Sequence, residues 1–332
     1  MIITKTHLRT SFLGGGTDYP EYFREHGGQT LGAAIDKYSY IFVNPMADLF
    51  EYNIRLSYSR MELVNETRDI QHPSVKACLE FLKIDTNVEI HYIGDLPART
   101  GLGSSSSFTV GLLHALHALK GEMASRQQLA EEAVYVEQQI IKERVGVQDQ
   151  YTCAVGGLVN LKFSKDGTIQ TCPVPLLKER SEDFQNHLML FYTGIVRFAH
   201  EVLDEQIENT KQGSITKDLS RLSDLVDEGL SVLSSEQPIN VFGELLHNAW
   251  ETKRKLSQKI SNPAIDDFYD RGRKAGAVGG KLLGAGGGGF LLFVVPPEKQ
   301  ESVKKELGEL KEVPISFDTT GSSLLFYQHV RK

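Results

Sequence analysis

Residues 38–45 and 88–94 are short runs rich in β-branched and aromatic side chains with partial alternation, the pattern of half-buried strands. Between residues 108 and 119 the apolar positions recur every three or four residues, which predicts a helix. A second helix is predicted from Arg126 to about residue 143, with Leu129, Ala133, Val136 and Ile140 along one face. Residues 156–163 and 187–193 return to strand character. From residue 200 to about 260 long amphipathic patterns dominate, broken near Gly213 and at Gln237 and Pro238. The apolar run 290–295 suits a buried strand, and residues 323–330 read as a final one. Strands, a helical middle and strands again predict an α+β protein of two units, residues 1–180 and 181–332, meeting near residues 165–187.

A chain of 332 residues exceeds the size at which one hydrophobic core keeps growing, which agrees with two units. With 40% apolar and 24% charged residues it has the composition of an ordered globular protein. A net charge of −7 argues against general nucleic-acid binding, yet leaves room for a small anionic ligand held by a few local donors. Cys78, Cys153 and Cys172 are scattered without metal-ligand spacing, and an odd number of thiols fits no disulfide framework. The opening residues lack a signal pattern, and no apolar run approaches the roughly 20 residues that span a bilayer. The expectation is a cytoplasmic protein with no membrane partner.

Candidate chemistry sits in three glycine-rich segments. Pro97 to Ser107 follows a predicted strand and opens a predicted helix, so its glycines and four serines suit a nucleotide's phosphates at a helix N-terminus. It is neither a Walker A loop nor a dinucleotide-binding motif. Lys281 to Phe290 places four consecutive glycines before a buried strand, where backbone must pack closely against a ligand or another loop. Arg9 to Tyr19 sets three glycines before Thr17 and Asp18, whose carboxylate can accept hydrogen bonds from vicinal hydroxyls of a polyol. Taken singly, each has a plain alternative: a serine-capped turn, a hairpin turn, and an aspartate that merely caps a helix.

The order and spacing of the three segments resemble those of the GHMP kinases across most of the chain. The resemblance implies an N-terminal ATP-binding domain with a ribosomal-protein-like core and a ferredoxin-like C-terminal domain. It implies that Gly101, Leu102, Gly103, Ser104, Ser105, Ser106 and Ser107 wrap the ATP phosphates. The loop containing Gly286 and Gly287 would support the phosphate loop and the substrate pocket. Arg9 stands nine residues before Asp18, and Gly146 to Gln150 resembles the galactokinase segment that carries a catalytic aspartate, here Asp149. Glu137, twelve residues earlier, matches that family's magnesium-binding glutamate. The Glu-His pair of galactokinases is absent, and Phe12 to Pro20 resembles instead the D-glycero-D-manno-heptose 7-phosphate kinases and the kinase portion of fucokinases. The stretch around Thr193 to Arg197 and the one holding Trp250 and Lys253 resemble that branch too.

The resemblance therefore implies transfer of the ATP γ-phosphoryl group to a sugar hydroxyl, the anomeric one of heptose 7-phosphate, with ATP and Mg2+ as cofactors. Asp149 is the expected base, Arg9 its partner at the transferring phosphate, and Glu137 with Ser105 the metal ligands, Ser104 and Ser106 being close competitors. Thr17, Asp18, Arg197, Gly286 and Gly287 are the expected substrate contacts. The alternatives are a kinase of unphosphorylated fucose or galactose, and a non-catalytic sugar or nucleotide sensor. A homodimer is the assembly left open.

Overall fold

A computed structural model describes residues 1–84, 87–195 and 199–328. Strands β1 (Ile2–Leu13), β2 (Gly28–Pro45), β3 (Ile54–Ser57), β4 (Met61–Val64), β5 (Val88–Gly94), β6 (Leu158–Phe163) and β7 (Ile169–Pro173) belong to the first sheet. The long β2 is its spine. β1 runs antiparallel beside it, while residues 28–33 of β2 pair with β6 and residues 39–45 with β5. The pairing slips between His7 and Leu8 and between Ser11 and Leu13, which re-aims the side chains that follow. The sequence pattern captures only residues 38–45 of this strand. The earlier half is buried almost continuously, so it shows no alternation.

Helix α1 (Pro20–His26) follows β1, and α2 (Pro73–Phe81) precedes β5. Helix α3 (Ser104–Lys120) lies on β1 and β2, with α2, α4 (Arg126–Tyr135) and α5 (Gln148–Val155) packed around it. The helix expected over residues 126–143 is α-helical only to Tyr135 and continues as a π-helical turn, Val136–Ile140. Such a turn rotates the side chains it carries relative to a regular helix, and it often marks a functional site.

After α6 (Lys178–Asn186) comes a second, antiparallel sheet. It contains β8 (Leu188–Tyr192), β9 (Gly279–Leu282), β10 (Phe290–Val294) and β11 (Lys311–Glu312), in the order β11-β8-β10-β9. The amphipathic middle forms α7 (Ala199–Lys211), α8 (Thr216–Leu233) and α9 (Ile239–Lys253), separated where the breaks at Gly213 and Pro238 fall. Helices α10 (Pro263–Ala275) and α11 (Gln300–Glu306) complete this part. The last strand, β12 (Ser323–Tyr327), returns to the first sheet beside β1. The described chain thus does not divide cleanly at residue 180, because its final strand belongs to the first sheet. Among the described residues no helix is long and apolar enough to cross a membrane.

One apolar cluster fills the space between the first sheet and α2 to α5. A second runs from Leu8, Phe12 and Leu31 through Trp250 to Phe293, joining β1 and β2 to the second sheet and its helices. Phe184, the fully buried residue of α6, stands at this seam with its ring 5.3 Å from that of Phe12, 4.8 Å from Phe242 and 5.7 Å from Phe317. Phe184→Ala removes one ring from two edge-on contacts and one tilted contact and leaves a cavity where the two units meet. The expected loss is about 3–5 kcal/mol of unfolding free energy. Urea unfolding measures it, and a loss below about 1 kcal/mol would show that the seam collapses around the gap.

Candidate active site

β1 places Arg9 under the loop that precedes α3. Its backbone N–H donates to the Leu102 carbonyl at 2.9 Å, tying strand to loop. The guanidinium is almost fully buried, and every arm has a partner. Nε and Nη2 donate to Oδ1 and Oδ2 of Asp149, both at 2.7 Å, and Nη1 donates to the Gly101 carbonyl at 2.7 Å. Although burial alone would lower the Arg9 pKa, the Asp149 charge and its hydrogen bonds outweigh that and raise it. Asp149 lies in the first turn of α5, where the helix dipole favours a carboxylate. About a quarter of its side chain stays open to solvent, so its unused lone pairs remain available to a ligand.

Asp18 is buried beside this pair. It accepts from the Gly16 N–H at 3.0 Å and, at 3.5 Å, from the Gln148 N–H, while its own carbonyl accepts from the Val147 N–H at 3.1 Å. The segment before Asp149 is therefore draped over Asp18. A Cβ at Gly146 would stand 1.8 Å from Asp18 Oδ2, so only glycine fits there. Burial raises the Asp18 carboxyl above its ordinary value. The Gly16 N–H pulls it back down, and the Asp149 charge pushes it further up. Gln148 is fastened in turn by Ser11, whose Oγ donates to Oε1 at 2.8 Å. Thr17, expected to touch a sugar, does not offer its hydroxyl. Oγ1 lies 2.9 Å from both the Gly14 and the Gln29 carbonyls and accepts from the Gln29 N–H at 3.2 Å. Its place is structural: it locks the glycine turn that delivers Asp18.

Gly103 caps α3 in the left-handed conformation with φ of 72°, which an L side chain adopts only at a cost. The serines that follow diverge. Ser104 Oγ accepts from the Arg99 N–H at 3.3 Å, and Ser107 Oγ donates to the Thr6 carbonyl at 3.2 Å. Ser105 is exposed. Ser106, not Ser105, meets Glu137, its Oγ donating to Oε2 at 3.0 Å, so the expected pairing of Ser105 with Glu137 is corrected by one residue. One residue is about 100° of helix, which turns Ser105 outward and Ser106 toward the π-helical turn that bears Glu137. Gln150 Nε2 also donates to Glu137 Oε2, at 2.6 Å.

Glu137 Oε1 is buried without a partner. Burial pushes the carboxyl up to about 7, although the hydrogen bonds it accepts pull the other way. An orphaned carboxylate oxygen at the mouth of a phosphate-type loop fits a divalent cation that needs few protein ligands. Among the described residues no group of three or more His, Cys, Asp or Glu side chains stands together as a metal cluster.

The C-terminal glycine loop closes over the first. A Cβ on Gly101 would lie 2.4 Å from the Leu283 carbonyl, and one on Gly284 would lie 2.5 Å from Gly101 Cα, so the two loops touch backbone to backbone. Gly286 and Gly287 face the segment after α9, with the Gly287 N–H donating to the Ile260 carbonyl at 2.9 Å. Arg197 lies outside the described residues. Two cations absent from the expected site are buried here. Lys281 Nζ donates to the Phe12 carbonyl at 2.8 Å, and Lys253 Nζ donates to the Gly284 carbonyl. Lys253 carried a readable signal, since it falls on the buried stripe of α9 after Phe242, Leu246, Ala249 and Trp250.

The family description "GHMP kinases N terminal domain" matches residues 73–157, and "GHMP kinases C terminal" matches residues 233–312. The chain is similar to the D-glycero-alpha-D-manno-heptose 7-phosphate kinase of Campylobacter jejuni. The two are 25% identical over 322 residues, covering 92% of this chain and 93% of that one. It is also similar to the bifunctional fucokinase/GDP-fucose pyrophosphorylase of Arabidopsis thaliana, 25% identical over 314 residues. That match covers 85% of this chain but 29% of the plant protein, so this chain spans less than a third of its length. Among solved structures, a D-glycero-D-manno-heptose 1-phosphate kinase from Bacteroides thetaiotaomicron superposes with a TM-score of 0.81. It has 21% identity and the match covers 99% of this chain and 100% of that one.

The Glu137 environment makes stability depend on pH. A carboxyl held near 7 in the folded chain, against 4.5 as its ordinary value, favours folding below about pH 4.5 and loses that contribution as pH rises through 7. Metal-free wild type should therefore lose stability relative to Glu137→Gln between pH 5 and pH 8 (approximate bounds of that window). Urea unfolding of both proteins at the two pH values tests this, and parallel changes would contradict it.

Proposed function

The chain belongs to the GHMP kinases, and on that premise we propose that this sugar kinase uses ATP to phosphorylate the anomeric hydroxyl of D-glycero-D-manno-heptose 7-phosphate, giving the 1,7-bisphosphate. The observation that carries the reading is the position of Arg9, which grips Asp149 with two arms and the carbonyl of Gly101 with the third. An acceptor-facing carboxylate and a phosphate loop are thereby held by one rigid fork. A sensor would have no need for that arrangement. The heptose acceptor is supported by similarity to the Campylobacter enzyme along nearly the full length of both chains, and by the Phe12 to Pro20 segment.

In this reading the acceptor hydroxyl donates to Asp149, which orients it and takes its proton as the new P–O bond forms. The bond from the γ-phosphorus to the bridging oxygen breaks, and ADP leaves. Transfer of this kind depends mainly on positioning and on neutralising charge. Arg9 supplies a fixed positive charge beside the transferring group and holds both carboxylate oxygens of Asp149 in place. Amides at the start of α3, from Ser104 to Ser106, face the nucleotide phosphates along the favourable direction of the helix dipole, while the Ser107 N–H closes the first turn on the Gly103 carbonyl. Asp18, buried against the Asp149 segment, accepts from a sugar hydroxyl. Glu137 and Ser106 would hold Mg2+, which neutralises charge on the phosphates when bound.

The test is ATP consumption with magnesium against heptose 7-phosphate, sedoheptulose 7-phosphate, fucose, galactose and mevalonate, with Asp149→Asn alongside. Turnover should be confined to the heptose phosphate and fall roughly 10²–10⁴-fold in the variant. Turnover of an unphosphorylated sugar instead would keep the kinase and overturn the acceptor. Nucleotide binding without any turnover would favour a sensor.

A further inference from the structure

Lys253 is the last residue of α9 and only 7% exposed. Its ammonium carries three N–H donors, and one hydrogen bond, to the Gly284 carbonyl, reaches it. No carboxylate among the described residues pairs with it within ion-pair distance. A buried cation with two unmet donors is costly unless a ligand completes it.

Its surroundings indicate the sign of that ligand. The Gly284 backbone lies against Gly101, and Gly101 accepts from Arg9, so Lys253 stands two glycines away from the Arg9–Asp149 pair. The charged groups around it are Arg9 on β1, Lys281 on β9, Asp18 in the first glycine turn and Asp149 on α5. Three buried cations, Arg9, Lys253 and Lys281, thus face two carboxylates. Arg9 spends its three bonds on Asp149 and Gly101, and Lys281, with one bond, is tied to the Phe12 carbonyl of β1. Lys253 instead bonds to the glycine loop that touches Gly101, so its two remaining donors lie beside the phosphate loop. Burial foremost, and then Arg9, lower its pKa to about 8, while Asp18 and Asp149 raise it.

We propose that Lys253 binds a phosphoryl oxygen of the bound substrates through its two unmet N–H groups. The inference rests on the kinase reading above and assigns it a further cation that touches substrate. The phosphoryl oxygen has two candidate sources, the acceptor's own phosphate and the transferring γ-phosphoryl group of ATP.

Lys253→Met keeps the length of the side chain and removes its charge, a change a packed interior tolerates. Wild-type turnover of heptose 7-phosphate tests the parent reading on its own. The variant is then compared on whichever acceptor the wild type uses, and titration calorimetry with ATP and with heptose 7-phosphate gives affinities independent of turnover. If the acceptor's phosphate is the source, KM and Kd for the sugar phosphate rise roughly a hundredfold. In that case ATP binding and kcat at saturating sugar phosphate are retained. If the γ-phosphoryl group is the source, kcat falls by a similar factor while the Kd for the sugar phosphate stays within about threefold of wild type. In either case kcat/KM of the wild type declines as pH rises past about 8, and the variant lacks that limb. Affinities and rates within about threefold of wild type overturn the proposal. So do losses that merely follow a lowered melting temperature and a smaller folded fraction.

Discussion

Everything at the centre of this molecule is arranged around one buried guanidinium. Arg9 cannot be left without acceptors inside the protein, because an unpaired buried charge costs about 3–5 kcal/mol. Its three acceptors come from α5 and from the loop before α3, while the residue itself belongs to β1. Satisfying the charge therefore fixes three separate elements relative to one another. Because the Arg9 backbone also bonds to Leu102, the loop can shift only if the strand does.

That demand explains where the chain uses glycine. Gly101 and Gly284 bring two loops into backbone contact, so the second loop backs the first with no side chain between them. Gly146 serves a different end, letting the Asp149 segment lie directly on the Asp18 carboxylate. Both contacts shorten the distance between groups that must act on one ligand. Stiffness is gained in a region whose connecting loops would otherwise be mobile.

The same region carries costs that packing elsewhere offsets. Glu137 and Lys253 both have ionised forms disfavoured by burial, and each has hydrogen-bonding capacity left over. Groups of this kind cluster at functional sites because a ligand completes them. The compensation is visible in the aromatic seam of Phe12, Phe184, Phe242 and Phe317, which binds the two sheets together close behind the site.

Much of this was determined along the chain alone. Strand β5, helix α3 and the three helices of the amphipathic middle follow from periodicity, because each buries one face and exposes another. The spacing among Arg9, Asp18, Glu137 and Asp149 could be read before any fold was known, and the fold brings Arg9, Asp18 and Asp149 together. β1 escaped because its buried positions include Thr4, Thr6, His7, Arg9, Thr10 and Ser11, polar residues that break an apolar pattern. Whether Ser105 or Ser106 meets Glu137 depended on helix phase and on a π-helical turn. That Lys253 is buried, and that Thr17 spends its hydroxyl on the backbone, depended on contacts between segments far apart in sequence. Periodicity records which side of an element faces inward. What a side chain meets there is set by the accumulated twists, bulges and loop contacts of the other elements, which only the assembled structure contains.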